Sequence, residues 1–241
     1  MLKQIKKAFT LAEVLITLAI IGVVATLTTP AIMRNSQYAK IGPQLAKIVT
    51  TLETGIQAVC TEQDKYYFKD VINESDVTDF SLDSKFKELA SRYIKMRSSG
   101  TTTPAIKPLN GGDDYSIGTV KSIYMFSDKS AVIIPDCTLG THKEIQTPEG
   151  GGEPTEVEVT TNACLIYALM PGFASRSRLV LGLDIFPLVI TSEGSVQTPE
   201  EAGYTEGGSH GECTNDAFYE RSIDGFDCVN SIAKNGWKAA W

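Results

Sequence analysis

Histidine is almost missing from this chain: there are two, His142 and His210, with no Cys-x-x-Cys or His-Glu-x-x-His spacing around either. That scarcity argues against a zinc site. Also missing are a Gly-x-Ser-x-Gly elbow and a P-loop. Gly150-Gly151-Gly152 runs into Glu153 and Pro154 rather than into the Lys and helix that phosphate binding needs, and reads as a loop tip. Without a catalytic constellation, a cofactor motif or a ligand set, the expectation is a non-enzymatic protein with no cofactor and no metal. After position 34 no cluster of Lys and Arg rises above background, and the net charge is -7. Nonspecific nucleic-acid affinity rests on neutralising phosphates, so nucleic acid is not an expected partner.

Charge is scarce in one region above all. Residues 9–33 form an apolar run in which Glu13 is the only charged residue. Residues 9–29 rise about 30 Å as a helix, enough to span the hydrocarbon core of a bilayer. An ionised Glu there costs roughly 2.5 to 3.5 kcal/mol on insertion scales, which marks Glu13 as functional and asks for a named partner. A positive charge four residues upstream would serve, and Phe9 supplies one if it is an N-terminus. The preceding residues, MLKQIKKA, carry Lys3, Lys6 and Lys7 and no acid, and they end on the small residue Ala8. Cationic flanks stay in the cytoplasm. Cleavage between Ala8 and Phe9 would remove this leader, keep the apolar segment and set an α-ammonium close to Glu13. A secretory signal peptide cut near Thr29 and Ala31 would have a shorter core free of acids. A plain signal anchor would explain the hydrophobicity and the lysines but not Glu13.

The basic leader, the small residue before the cut and Phe9-Thr10-Leu11-Ala12-Glu13 together resemble the prepilin signal of the type IV pilin and type II secretion pseudopilin superfamily. Ala8 stands where Gly is more usual, and Gly22 and Pro30 stand where such helices commonly carry Gly and Pro. The resemblance implies a prepilin peptidase that cuts after Ala8 and methylates the Phe9 amine. It further implies a polytopic platform protein, a cytoplasmic assembly ATPase, an inner-membrane stage with a periplasmic head, and other pilin subunits as partners. Glu13 becomes the assembly residue, pairing with the Phe9 amine of an adjacent subunit. Gly22 and Pro30 become a helix defect, since Pro30 cannot donate to Thr26 and Gly22 is a weak helix former. Hydroxyls on Thr26, Thr28 and Thr29 are the expected local compensation. The function implied is a structural subunit of a pilus or pilus-like filament. A secretion pseudopilin and a minor or tip pilin acting as a binding module are the alternatives.

Beyond the membrane run, Ile41, Leu45, Ile48, Val49, Leu52, Ile56 and Val59 recur at steps of three and four, with Lys47, Thr51 and Gln57 off the stripe. One long helix to about Cys60 is implied by the resemblance, with a bend at Gly42-Pro43. A full break into two helices is the alternative. Ser81 or Asp83 is placed to cap a helix running to about Met96, with an apolar face of Phe86, Leu89, Ala90, Tyr93 and Ile94. Residues 122–126 and 131–135 flank Ser127-Asp128-Lys129-Ser130 and predict a hairpin. Further strands are expected over 157–170 and 179–190 and after Glu193-Gly194, with a loop over 140–155. The sum is an α+β fold: a long N-terminal helix, half membrane and half amphipathic, packed on a C-terminal antiparallel sheet domain, pilin-like. The expected divisions are a leader at 1–8, the membrane or filament-core half at 9–33, the amphipathic half at 34–60 and the head at 61–241.

All five cysteines, Cys60, Cys137, Cys164, Cys213 and Cys228, follow the apolar run, which suits an oxidising compartment. Cys213 and Cys228 enclose a C-terminal loop that a disulfide would stabilise by about 3 kcal/mol on the loop-entropy account. The resemblance supports that pair, because many type IV pilins close such a loop. Cys137 with Cys164 is the next pairing, leaving Cys60 free; spacing alone leaves other pairings open. Some pseudopilins bind calcium in a late acidic loop. The corresponding stretch here, Ala168-Leu169-Met170-Pro171-Gly172, lacks oxygen ligands, and Asp184 alone does not restore them.

Overall fold

A computed structural model describes residues 10–72, 82–146, 155–203, 213 and 225–238. Two helices lead the chain: α1, Leu11–Tyr38, and α2, Ile41–Glu62. Ala39 and Lys40 separate them. The interruption therefore falls before Gly42-Pro43, and the two-helix alternative replaces the single bent helix. Pro43 sits in the first turn of α2, where its missing N–H has no intrahelical acceptor to lose, so it starts this helix rather than kinking it. The stripe read from the sequence is the buried face of α2, with Leu45, Leu52 and Ile56 at 0–1 % exposure.

Two short helices follow, α3 at Phe68–Ile72 and α4 at Leu82–Arg92. α4 stops short of the expected Met96. The Tyr93 and Ile94 amides both donate to the Leu89 carbonyl, and Met96–Ser98 then becomes strand β1. Ser81 lies outside the described residues. Asp83 stands in the first turn of α4, where its carboxylate accepts the Tyr124 hydroxyl at 3.2 Å.

The main sheet has six antiparallel strands in the order β1-β3-β4-β7-β9-β10. Besides β1 they are β3, Val120–Phe126; β4, Ala131–Pro135; β7, Ala163–Leu169; β9, Ile185–Thr191; and β10, Val196–Gln197. The β3–β4 turn is the expected hairpin, closed by the Phe126 amide on the Ser130 carbonyl at 2.8 Å. The other strand expectations need division. The run 157–170 breaks at Asn162 into β6, Thr155–Thr161, and β7. The run 179–190 breaks into β8, Arg178–Val180, and β9, with β8 lying parallel to β2, Ala105–Lys107. The expected 140–155 loop is largely β5, Gly140–Gln146, paired with β6 from Gly140↔Thr161 to Gln146↔Thr155. Apart from Gly140, the Gly and Pro residues that suggest a loop fall in 147–154, which lie outside the described residues.

Both faces of the main sheet are covered. Tyr124, Val132, Ile134, Cys164, Ile166, Phe186, Leu188 and Ile190 meet the α2 stripe and α4. On the opposite face Ile123, Ile133, Tyr167, Leu169 and Ile185 pack under Ile106, Ile117, Phe173, Leu179 and Phe226. A strand buried on both faces reads as a continuous apolar run, which is why β4, β7 and β9 stand out in the sequence. The chain closes with helix α5, Phe226–Lys234, entered through Gly225 at φ 104°. Gly225 abuts the Leu181-Gly182 backbone so closely that a Cβ would lie 2.2 Å from the Leu181 carbonyl oxygen. An apolar N-terminal helix followed by a mostly antiparallel sheet domain is an α+β arrangement that fits a pilin-like fold.

Candidate assembly helix

α1 begins with a reciprocal cap. The Thr10 amide and hydroxyl both donate to Oε2 of Glu13 at 2.8 Å, and the Glu13 amide returns a bond to the Thr10 hydroxyl at 3.3 Å. This is a capping box, Thr-x-x-Glu ahead of an apolar run. The Thr-x-x-Glu spacing of Thr10-Leu11-Ala12-Glu13 is the signal in the sequence for this cap. Within the chain, Glu13 thus has Thr10 as its partner. Both contacts use Oε2, which leaves Oε1 for a second donor.

Through Thr28, α1 is apolar on every side. Leu11 is 79 % exposed and Leu27 74 %, with Leu15, Ile16, Leu18, Ile20, Ile21 and Val23 all above half. Leu11–Thr28 is long and apolar enough to cross a membrane. No fold-internal surface covers these side chains, in contrast to every other long helix of the described chain. Backbone helix continues unbroken through Gly22 and Pro30, and a Cβ at Gly22 would meet nothing within 4 Å. The Thr17, Thr26 and Thr28 hydroxyls donate to the carbonyls of Val14, Val23 and Val24. None of these contacts reaches the Thr26 carbonyl that Pro30 leaves without its usual donor. Ala8 and Phe9 lie outside the described residues.

The cysteines pair on the head. Cys137, just after β4, bonds Cys164 on β7, and Cys213 bonds Cys228 in the first turn of α5. The C-terminal pairing therefore anchors a helix, not only a loop. Cys60 is a buried free thiol near the end of α2, and burial pushes its pKa up.

Asp184, considered above as a lone oxygen ligand, is engaged otherwise. It is 5 % exposed; Oδ2 accepts the Val180 amide at 3.0 Å and Oδ1 the Arg176 guanidinium. Burial raises its pKa, with Arg176 and the Val180 amide pulling the other way. In the Ala168–Gly172 stretch, Ala168, Leu169 and Met170 are buried among apolar neighbours. Among the described residues no three His, Cys, Asp or Glu side chains converge.

Among the described residues the large apolar surface left uncovered is the outside of α1. Comparison with curated proteins and with solved structures returns no match. Residues 3–29 match the family model of the prokaryotic N-terminal methylation motif, and that segment is a type IV prepilin-like signature.

Proposed function

We propose that the chain is a structural subunit of a type IV pilus or pilus-like filament, held in the inner membrane by α1 before assembly, with its head in the periplasm. The observation that carries this reading is the conjunction of the methylation motif with a helix whose apolar side chains are exposed all around. Lipid tails satisfy such a surface, and so do identical helices bundled side by side. Residues 1–8 are the leader, 9–33 the membrane and filament-core segment, 34–60 the amphipathic segment that supports the head, and 61–241 the head. Prepilin peptidase cuts between Ala8 and Phe9 and methylates the Phe9 amine. A platform protein and a cytoplasmic ATPase drive assembly.

Glu13 supplies register. In this reading Oε1 accepts the Phe9 ammonium of a neighbouring subunit while Oε2 keeps the Thr10 cap, and what supports it is that both Thr10 contacts use Oε2. A buried carboxylate satisfied only on correct docking discriminates against slipped packings. Gly22 and Pro30 bracket the stretch that unwinds when the core lengthens, since backbone hydrogen bonding is weakest there.

The decisive experiment is mass spectrometry of the mature N-terminal peptide together with filament yield from Glu13→Ala. The expected results are a chain beginning at N-methylated Phe9 and a variant that is processed and inserted but poorly incorporated. A mature chain beginning near Ile32 overturns the processing step, and normal filament yield from Glu13→Ala overturns the register role.

A further inference from the structure

The joint between α1 and α2 borders a cavity of about 310 Å³ whose polar lining includes Lys40, Gln44, Arg176 and Asp184, backed by Met170 and Leu183. Two cations and one carboxylate leave it net positive in a chain of net charge -7. Lys40 is exposed, heads α2 without a side-chain cap bond, and makes no ion pair with another described residue. Arg176 commits part of its guanidinium to Asp184 and stays 51 % exposed, so further N–H donors face outward. A third cation arrives from the C-terminus. The backbone of Trp237 and Lys238 lies against Gly42, with the Lys238 Cα 3.2 Å from where a Gly42 Cβ would stand. The half-buried Trp237 and the exposed Lys238 thus share this end of α2.

Position narrows the ligand. If α1 spans the bilayer, as proposed above, Lys40 follows the last apolar residue of the run, Met33, by seven residues, a rise of about 10 Å. The headgroup layer is about 5 to 7 Å deep on each side, within reach of a lysine side chain. Guanidinium and ammonium groups flanked by a tryptophan are suited to that layer.

We propose that this cavity holds the phosphodiester of an anionic phospholipid such as phosphatidylglycerol, with Lys40 and Arg176 on the phosphate oxygens and the Gln44 amide as a further donor. The phosphate carries one negative charge, which the net positive lining balances. Lipid bound there holds the head against the bilayer at a set orientation until the subunit is withdrawn into a filament. The inference rests on α1 as a membrane span.

The test uses the full chain reconstituted in nanodiscs of phosphatidylcholine alone or mixed with phosphatidylglycerol, with flotation to score insertion and native mass spectrometry to score the lipids retained. The expected result is preferential retention of phosphatidylglycerol, reduced at least about fivefold by Lys40→Glu and unchanged by Lys87→Glu, an exposed lysine on α4. Lys40→Gln should fall between. Inorganic phosphate at millimolar concentration should not displace the lipid. Insertion with equal retention in wild type and Lys40→Glu overturns the headgroup site alone. Displacement by inorganic phosphate makes it a general anion site and overturns the lipid assignment. Failure to float with either nanodisc overturns the membrane-span reading and this site with it.

Discussion

α1 and α2 are neighbours in sequence and both rich in apolar residues, yet the two helices use them in opposite ways. In α2 the apolar residues fall on one stripe, and that stripe is the floor of the head's core, with Leu45 and Leu52 at 0 % exposure. In α1 they surround the axis, and Leu18 and Ile21 remain 60 % and 63 % exposed. A one-sided stripe is satisfied inside one chain, whereas an all-round apolar surface needs lipid or other chains. Hydrophobicity therefore supports folding in one helix and membrane residence or assembly in the other.

Removing the same side chain from each helix separates the two uses of hydrophobicity most strongly. Leu52→Ala leaves a cavity between α2 and the sheet and should cost about 2 to 5 kcal/mol of head stability. Leu18→Ala touches nothing in the head and should leave its unfolding within about 0.5 kcal/mol of wild type, while lowering incorporation into filaments. Urea unfolding of the full chain in detergent, followed by tryptophan fluorescence, measures both. Comparable destabilisation by the two substitutions would mean that α1 packs on the head after all.

What the sequence discloses follows the same division. The apolar run, its solitary carboxylate and the α2 stripe are local patterns, and each was readable residue by residue. So was the β3–β4 hairpin, because a polar turn separates two apolar strands. The helix break was misplaced because Gly42-Pro43 looks like a defect in isolation, whereas the chain treats proline as a first-turn residue. β5 carries no apolar alternation that would signal a strand, since Ile145 is the one large apolar residue in 140–146, and it adjoins a tract rich in Gly and Pro. α5 was hidden for a different reason: the helix is only nine residues long, with an apolar face of Phe226, Val229 and Ile232, and its first turn overlaps the loop enclosed by Cys213 and Cys228. At the assembly helix, Glu13 was legible as a charge but its bond to Thr10 was not, although the Thr-x-x-Glu spacing was in view.

Two glycines extend the comparison at a smaller energy. Gly22 in α1 faces open space, while a Cβ on Gly42 in α2 would lie 2.2 Å from the Trp237 carbonyl oxygen. Gly42→Val therefore must displace either the C-terminal tail or the start of α2, at an expected cost of about 1 to 3 kcal/mol. Gly22→Ala should leave head stability unchanged and firm up α1 by up to about 1 kcal/mol of helix propensity. Carboxypeptidase digestion gives a separate readout, because the displaced tail of Gly42→Val should be trimmed faster than that of wild type or Gly22→Ala. Equal trimming rates in all three would show that the tail does not depend on the close approach at Gly42.

The smallest effect concerns Lys47, an exposed residue of α2 that reaches the β3–β4 turn through a charge. Lys47 donates to Oδ2 of Asp128 at 2.6 Å, fastening the β3–β4 turn to the helix, and the Ser130 amide donates to the other carboxylate oxygen at 3.0 Å. Partial burial disfavours the Asp128 carboxylate, but the Lys47 and Ser130 bonds outweigh it and hold the pKa below its ordinary value. A carboxyl whose folded pKa is depressed binds its proton more readily unfolded, so its contribution to stability is present above the unfolded pKa of about 3.9 and is lost as pH falls through the folded value. The Lys47 side chain is 60 % exposed and solvent screens the pair, so its worth at neutral pH is a few tenths of a kcal/mol. Asp128→Asn should accordingly unfold slightly more easily than wild type at pH 7, with the gap closing as the pH is lowered past 4. A gap in urea midpoints that stayed constant from pH 7 to pH 3 would assign the loss to Asp128's hydrogen bonds with Ser130 inside the turn instead of the ion pair with Lys47. In that case α2 would be joined to the sheet through its buried stripe and the Glu53 carboxylate, which accepts the Val196 amide of β10 at 3.1 Å, and the contrast with α1 would be sharper still.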